Sequence, residues 1–292
     1  MDNPDNVKQR ITDLLETLSP KHKQVARFVL DNWYFTSFSS ANQVGKKIGT
    51  SAASVVRFSQ AIGYEGYSKL QEALRVEMPN DMTTAARMQK RMSSQHPPDT
   101  TLSQVFYTDI RNIERTASGL SIDRMNAALD HFQKARRVLI IGAGASTAPV
   151  IFLTHSLKVM GFEAASVIGE GLQTAVDLAG IKPEDLLIAI DLWRYVRSTV
   201  NAVSQAKTAG AAVIAITDSI VSPLSKLADI AFEISTEGVA HSLSITAIMS
   251  LLNVMVAMLA DRASEQVYAS IRRVDEAYRN SDLLIMKSNN AY

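Results

Sequence analysis

Ser40-Ala-Asn-Gln-Val-Gly-Lys-Lys-Ile-Gly-Thr-Ser-Ala-Ala-Ser-Val-Val-Arg-Phe-Ser-Gln-Ala-Ile-Gly63 decides how the first part of this chain is read. Two short helical patterns flank a turn of three to four residues around Gly49, and Gly63 stops the second helix. Ser40 and Gln43 form a Ser-x-x-Gln capping box that starts the first helix. Ser51 is placed to cap the second, and Gly63 to take the left-handed conformation past its end. Val44 and Ile48 share one face of the first helix; Val55, Phe58 and Ile62 share one face of the second. This is the pattern of a helix-turn-helix, whose second helix enters the DNA major groove. The outward face of that helix is expected to carry Ala52, Ala53, Ser54 and Arg57. Small residues let the backbone approach a duplex closely, and Arg57 can reach a phosphate or a guanine edge. Lys46, Ser51 and Lys69 complete the expected DNA-contacting set. A helical hairpin inside an enzyme shows the same local pattern, so this segment alone leaves both readings open.

Helical spacing surrounds it. Val7, Ile11, Leu14, Leu15 and Leu18 recur at helical intervals, and Ser19-Pro20 opens a second helix with Ser as cap and Pro at the first position. Val25, Phe28, Val29 and Trp33 line that helix, and a last one runs from Ser68 to about Val76. The expectation is a bundle of about five helices. Residues 79–100 are polar and bracketed by Pro79 and by Pro97-Pro98, which marks a domain linker. Thr101-x-x-Gln104 then caps an amphipathic helix with Leu102, Val105, Phe106, Ile110 and Ile113 on one side. Such a stripe must be buried somewhere, and a second subunit is one place for it.

From residue 137 the rhythm changes to strand and helix. Val138–Ile141, Ala164–Ile168, Leu186–Ile190, Val213–Thr217 and Ile230–Ile234 read as five strands, with helices to Met160 and from Arg197 to Ala209 between them. Apolar strands alternating with helices predict a parallel sheet covered on both faces, with ligands at the carboxyl ends of its strands. Leu243–Ala260 is apolar enough to raise a membrane span, but Ser244, Thr246, Ser250 and Asn253 interrupt it, which predicts a buried core helix.

A chain of 292 residues predicts two domains, each large enough for its own core. Hydrophobic residues make up 47% and charged residues 20%, an ordinary balance for a globular protein. Without cysteine there are no disulfides or thiolate metal sites, which fits a reducing cytoplasm. No basic stretch followed by an apolar core opens the sequence, so no signal peptide is expected. The net charge is +1, yet residues 40–75 hold Lys46, Lys47, Arg57, Lys69 and Arg75 against Glu65 and Glu72. A local basic patch of that size suffices for phosphate contacts.

Gly142-x-Gly-x-Ser146 lies where a parallel sheet places its ligand. Free amides at the start of the next helix favour an anion there, and Ser146 and Thr147 add hydroxyl donors. A dinucleotide fingerprint needs Gly or Ala at 147, where Thr stands, and Glu170 lies beyond Gly169 instead of at the strand end; no cofactor is expected. The third strand runs into Asp191-Leu-Trp-Arg-Tyr-Val-Arg-Ser-Thr199. Arg194 and Arg197 at a helix N-terminus oppose the dipole unless an anion or a carboxylate compensates. Asp191 pairs with one of them on the structural reading. On the functional one both guanidiniums face a ligand anion while Asp191 accepts from ligand hydroxyls. His22, His96, His131, His155 and His241 show no metal-ligand spacing, so no metal is expected. His155 is expected to be buried and hydrogen-bonded, and His241 to be within reach of the ligand of a neighbouring subunit. No catalytic triad or positioned carboxylate pair stands out.

Taken in order, these segments resemble the RpiR family of bacterial transcriptional regulators, a helix-turn-helix joined to a sugar-isomerase (SIS) domain. In the first half the resemblance rests on Leu18-Ser-Pro, Val25-Ala, Thr50-Ser-Ala-Ala-Ser-Val-Val-Arg-Phe58 and Ala61-Ile-Gly-Tyr-Glu-Gly-Tyr67. In the second it rests on Ile141-Gly-Ala-Gly-Ala-Ser146, Asp185-Leu-Leu-Ile-Ala-Ile190, Gly210-Ala-Ala-Val-Ile-Ala-Ile-Thr217 and Ser222-Pro-Leu-Ser-Lys-Leu-Ala-Asp229. The resemblance implies a phosphosugar or related metabolite at Gly144, Ser146 and Thr147 that alters DNA affinity. Where SIS domains commonly show Ser-x-Ser-Gly-x-Thr, this chain has Asp191-Leu-Trp-Arg-Tyr-Val, as in a subgroup with an Arg-Tyr pair. That departure removes the usual hydroxyl cradle and leaves room for an acidic sugar or another anion held by Arg194 and Arg197.

The expected fold is an N-terminal all-α helix-turn-helix bundle plus an α/β SIS domain with a five-stranded parallel sheet. The expected boundaries are 1–78 for the bundle, 79–122 for linker and amphipathic helix, 123–264 for the SIS domain and 265–292 for a helical tail. The expected protein is a cytoplasmic, non-enzymatic regulator, a homodimer or homotetramer on a palindromic operator, responding to a small anionic carbohydrate. The alternative is a sugar-phosphate isomerase with a helical accessory domain.

Overall fold

The structure, a computed structural model, describes residues 7–76, 84–93, 98–168 and 171–281. Contacts divide the chain into two units, Met1–Gln95 and His96–Tyr292.

In the first unit, α1 (Val7–Leu14) runs into a 3-10 turn at Leu15–Thr17, and α2 (Pro20–Asp31) follows. Ser19 accepts from the His22 amide and Pro20 takes the first helical position, as the sequence predicts. The helix does not continue through Trp33. Asn32 leaves helical geometry, its side chain donates back to the Phe28 carbonyl at 3.2 Å, and Trp33 opens a separate α3 (Trp33–Phe38). Asn competes for backbone groups in this way, which ends helices. Then come α4 (Ala41–Ile48), α5 (Ala52–Ala61) and α6 (Tyr67–Val76), so the described residues up to Val76 form six helices where about five were expected. Val7, Ile11, Val25, Val29, Val44, Val55, Phe58, Ile62, Leu70 and Leu74 make the shared core. The Trp33 indole donates to the Leu74 carbonyl at 2.9 Å, and the Tyr67 hydroxyl lies 3.0 and 2.9 Å from the Thr36 and Ser39 carbonyls. The open carbonyls at the end of α3 thus find partners on α6. Within the stretch read as a linker, α7 (Thr84–Ser93) is helical.

In the second unit, α8 (Pro98–Gly119) starts three residues before the expected cap, because Pro98 is already preset for a first helical turn. It leads to α9 (Ile122–Lys134), capped by Ser121, and β1 (Val138–Gly142). There follow α10 (Thr147–Val159), β2 (Ala164–Val167), α11 (Leu172–Ala179), β3 (Leu186–Asp191) and α12 (Arg197–Thr208). The unit ends with β4 (Ala212–Thr217), α13 (Pro223–Leu227), β5 (Ile230–Glu233), α14 (Thr246–Arg262) and α15 (Ser264–Asn280). All five strands are parallel, in the order β2-β1-β3-β4-β5.

Alternate side chains of each strand feed opposite layers. Val138, Ile140, Leu186, Ile188, Ile190, Ile214 and Ile216 pack with α9, α10 and α14. Leu139, Ile141, Leu187, Ala189, Val213 and Ala215 pack with α11, α12 and α13. The apolar run around Leu243–Ala260 is the core helix α14, whose Ile248, Leu251, Leu252, Met255 and Leu259 are buried. Among the described residues no single helix is long and apolar enough to cross a membrane, and α14 meets α15 at a bend of 108°. His155 contradicts its expectation and is exposed. The face of α10 that packs inward runs through Val150, Leu153, Thr154 and Leu157, so position 155 turns outward.

The C-terminal half of α8 is fastened to the loop after β5 by polar side chains. Asn112 donates to the Glu237 carbonyl at 2.7 Å and accepts from the Ser235 hydroxyl and the Glu237 amide at 2.9 and 3.2 Å. Thr116 accepts from the Ser235 amide at 3.0 Å, and the Asp109 carboxylate accepts from the Ser244 and Thr246 hydroxyls at 2.5 and 2.9 Å. Asn112 is fully buried, so truncating it leaves several groups unpaired in a dry place. Asn112→Ala should cost about 2–4 kcal/mol of stability in urea unfolding monitored by circular dichroism. A loss under about 0.5 kcal/mol would show that the loop re-pairs without it.

Candidate functional site

Two places gather the residues singled out in the sequence, one in each unit. In the first, α4 and α5 cross so closely that a Cβ on Gly45 would stand 2.6 Å from the Thr50 carbonyl oxygen. Only glycine fits there, and this position was not foreseen. Gly49 turns the chain at φ 71° and Gly63 follows α5 at φ 91°, both as expected. The Ser40–Gln43 capping box forms in full, and Ser51 caps α5 through the Ser54 amide. Ala53, Arg57 and Ser51 are exposed, as are Lys46 and Lys69. Arg57 has no partner among the described residues, while Lys69 pairs with Glu72 at 2.9 Å. Ser54 corrects the sequence reading. It is 2% exposed, with its hydroxyl 3.0 Å from that of Ser51, so it belongs to the cap and not to the outward face. Position 54 precedes Val55 and lies one helical turn before Phe58, on the packed side.

In the second unit, strand order reverses between β1 and β3, and their following helices α10 and α12 cover opposite faces of the sheet. A crevice opens at such a switch point, outside the carboxyl ends of the strands. Gly142 lies opposite Ile190 and Asp191 opposite Thr217, so three turns leave the sheet at one level. Gly142 is required by close approach, since a Cβ there would stand 2.8 Å from the Ile190 carbonyl oxygen. Gly144 is exposed and Thr147 half-buried. Ser146 is 2% exposed, and its hydroxyl has no partner among the described residues.

Arg194 and Arg197 are exposed on the facing turn. The Arg194 guanidinium stacks over the Trp193 ring, 4.6 Å from its centroid. No ion pair joins either arginine to Asp191. That carboxylate is 2% exposed, and its Oδ2 accepts from the Val196 amide at 2.6 Å, which caps the start of α12 from below. The role of arginine partner gives way to this one. His241 is exposed in the loop before α14, and Glu170 lies outside the described residues. Among the described residues no group of three His, Asp or Glu side chains is arranged to hold a metal ion.

Sequence reasoning missed Asp218, at the end of β4. Its Oδ2 accepts from the Trp193 amide and its Oδ1 from the Tyr195 hydroxyl, both at 2.9 Å. Between them Trp193 has φ 65°, the one non-glycine residue at positive φ among those described. The Arg194 amide donates to the Leu192 carbonyl at 2.7 Å, closing a tight three-residue turn around Trp193. Positive-φ γ-turns are rare and strained, and a left-handed aromatic residue costs roughly 1–3 kcal/mol. The strand-end rule that pointed to Gly142 and Asp191 applies equally to Thr217-Asp218 and was the available signal.

A second cleft, about 390 Å³, opens at the opposite end of the sheet beside His131, Lys134, Asp185, Lys207 and Asp229. Two of its carboxylates are matched within the fold, Asp185 with Arg136 and Arg137 at 2.8 and 3.1 Å and Asp229 with Lys207 at 2.5 Å. Burial works against these two carboxylates, but the Lys182 amide with both arginines, and Lys207 with the Val213 amide, outweigh it. Both are held below the usual carboxylate range, which marks a structural role.

The crevice carboxylates behave oppositely. Burial pushes Asp191 up to about 7 despite the Val196 and Leu192 amides, with the Asp218 charge adding to the rise. Burial also raises Asp218, against the Tyr195 hydroxyl and the Trp193 amide. A raised carboxyl holds its proton in the folded state after the unfolded chain has lost it. The contribution of Asp191 to stability therefore declines as pH rises from about 4 through 7, by up to about 1.4 kcal/mol per unit. Asp191→Asn should remove that slope. Its stability relative to the parent, from urea titrations, should improve by about 2–3 kcal/mol between pH 5 and 7.5. An offset independent of pH over this range would mean that Asp191 is ionised throughout.

Comparison with known proteins agrees with both halves. Residues 5–81 match the helix-turn-helix domain of the rpiR family, and residues 131–259 match the SIS domain. An HTH-type transcriptional regulator of Haemophilus influenzae, itself uncharacterised, is 24% identical over 225 residues, 77% of this chain and 78% of that protein. The sugar isomerase domain of an RpiR transcription factor from Sphaerobacter thermophilus is 35% identical, with a TM-score of 0.58 over 60% of this chain and 97% of that one. The Vibrio vulnificus NanR protein complexed with ManNAc-6P shares the fold over 94% of this chain and 98% of its own, with a TM-score of 0.65 at 22% identity. The chain belongs to the RpiR family of helix-turn-helix transcriptional regulators that carry an SIS domain.

Proposed function

We propose that α5 reads an operator and that the crevice between β1 and β3 binds a small anionic carbohydrate, whose occupancy changes operator affinity. The observation that carries the effector half is the pair of exposed cations, Arg194 and Arg197, at the N-terminus of α12. The helix dipole disfavours cations there, and an anion bound between them and the free amides reverses the sign of that interaction. The unpartnered Ser146 hydroxyl and the half-buried Thr147 face the same edge of the sheet and supply neutral donors. NanR, with the same fold, is complexed with a sugar phosphate. In this chain guanidiniums stand where a hydroxyl cradle is usual, which suits a sugar acid or a phosphosugar held through charge-assisted forks.

The operator half rests on Ser51, Ala53 and Arg57 standing exposed on one side of α5 while Val55 and Phe58 lock the other into the core. Lys46 and Lys69 add cationic reach to the backbone on either side. A homodimer or homotetramer on a palindromic site, in the cytoplasm with the chromosome, completes the reading. Leu102, Phe106, Tyr107 and Ile110 on α8 are each more than half exposed, an apolar stripe suited to a second subunit.

Two measurements test these halves separately. Operator affinity in gel shifts should fall steeply with salt, and Arg57→Ala should weaken it by about 1–3 kcal/mol if the guanidinium contacts a base. Unchanged affinity in a folded Arg57→Ala variant removes that residue from the interface. In a thermal-shift screen of sugar phosphates and sugar acids, a ligand at 100 times its dissociation constant should add about 2.7 kcal/mol of stability. Arg194→Ala and Arg197→Ala should lose most of that response, and a parental response in both would place the anion elsewhere.

A further inference from the structure

The turn that carries Arg194 is held from outside its own strand. Asp218 reaches across from β4 and uses one oxygen on the Trp193 amide and the other on the Tyr195 hydroxyl, each at 2.9 Å. These two residues flank Arg194, so the carboxylate fixes both sides of the guanidinium's attachment point. Trp193 is thereby kept at φ 65°, a conformation that an aromatic residue leaves when nothing compels it. The Arg194 amide closes the turn onto Leu192 at 2.7 Å, and the Arg194 guanidinium carbon sits over the Trp193 ring, 4.6 Å from its centroid. Asp191, by contrast, serves the next residue along, the Val196 amide, at 2.6 Å. The buried Asp191 and the half-buried Asp218 therefore divide the work: Asp191 starts the helix and Asp218 shapes the turn.

Backbone strain of this kind persists only where the surroundings over-determine it, and it gathers at ligand clamps. A glycine at 193 would make the turn without strain. The chain instead places there the aromatic ring over which Arg194 sits, and a guanidinium held by a ring keeps N–H donors for a planar or tetrahedral anion. We propose that Asp218 is a positioning residue of the effector crevice, holding the Trp193–Tyr195 turn strained so that Arg194 is presented, pre-oriented, to the anionic group. This rests on the effector reading above, and it names the residue on which the geometry of that site depends.

The turn can be read without any effector. Amide exchange resolved to single residues should show Trp193 and Arg194 exchanging at least tenfold faster in Asp218→Ala. The Val196 amide, held by Asp191, and the amides of β3 and β4 should change little. Asp218→Asn keeps the shape and an acceptor oxygen and should stay within about threefold of the parent, the rescue expected from local hydrogen bonding. Should Asp218→Ala fail to fold, Tyr195→Phe removes one of the two bonds and should give an intermediate acceleration at the same two amides. Parental exchange at Trp193 and Arg194 in whichever variant folds overturns the proposal.

A second arm uses D-glucose 6-phosphate and D-gluconate as probes in calorimetric titrations of the full chain. For a probe that the parent binds, Asp218→Ala, or Tyr195→Phe in its place, should raise the dissociation constant at least tenfold, and Asp218→Asn should recover most of it. Equal binding by the parent and the disrupted variant overturns the proposal even if the turn has loosened. If the parent binds neither probe nor any compound of the wider screen, the anionic-carbohydrate reading fails by itself. The exchange measurement still decides whether Asp218 sets the turn.

Discussion

The reversal of strand order between β1 and β3 is the constraint on which the second unit depends. Right-handed crossovers put α10 on one face of the sheet and α12 on the other, so no helix covers the gap between the two strand ends. Everything reactive in this half follows from that gap. The first strand must end in a residue without a side chain, because the Ile190 carbonyl stands against Gly142. The third must end in a group that can start a helix in a buried place, and Asp191 does so with its carboxylate. The fourth contributes Asp218, which turns the chain outward at Trp193. Each strand end solves a backbone problem, and the groups left over face the crevice.

Those leftover groups are cationic and hydroxylic. Arg194 and Arg197 project at a helix start where cations are out of place, while Asp191 and Asp218 below them are committed to the backbone and to Tyr195. A helix N-terminus offers amides to an anion, and two guanidiniums add charge and directionality that a serine and threonine cradle lacks. On the reading proposed here, the departure from the common SIS pattern changes the way negative charge is held without moving the site. In the first unit the division is similar: one side of α5 locks into the bundle, and Arg57 and Ala53 on the other remain uncommitted.

Much of this was legible in the residues. The capping box at Ser40, the cap at Ser51, the turn at Gly49, the Ser19-Pro20 start and the five strand positions all follow from local rules, because caps, turns and alternating burial are written in adjacent side chains. What escaped depends on distance in space. Gly45 is required by a carbonyl five residues on, Asp218 acts on a turn 25 residues earlier, and Asp191 trades an arginine for a backbone amide. Ser54 and His155 failed for another reason. Each lies on a helix whose buried face is set by its neighbours in the fold: polarity put Ser54 outside although it packs inward, and His155 was placed inside although the register of Val150, Leu153 and Leu157 turns it outward. The break at Asn32 is a local signal that hydrophobic spacing through Trp33 overrode.

An effector alters operator binding only by favouring one of two conformations, and the linkage is reciprocal. The most direct test is therefore to measure both directions on the full chain. The factor by which saturating effector changes the operator dissociation constant should equal the factor by which saturating operator changes the effector dissociation constant, at fixed salt and pH. Equal factors well away from one, on the order of 5–150, are the predicted result. A factor of one in both directions, with both ligands bound, would show a reader of DNA and a carbohydrate site that share a chain without communicating.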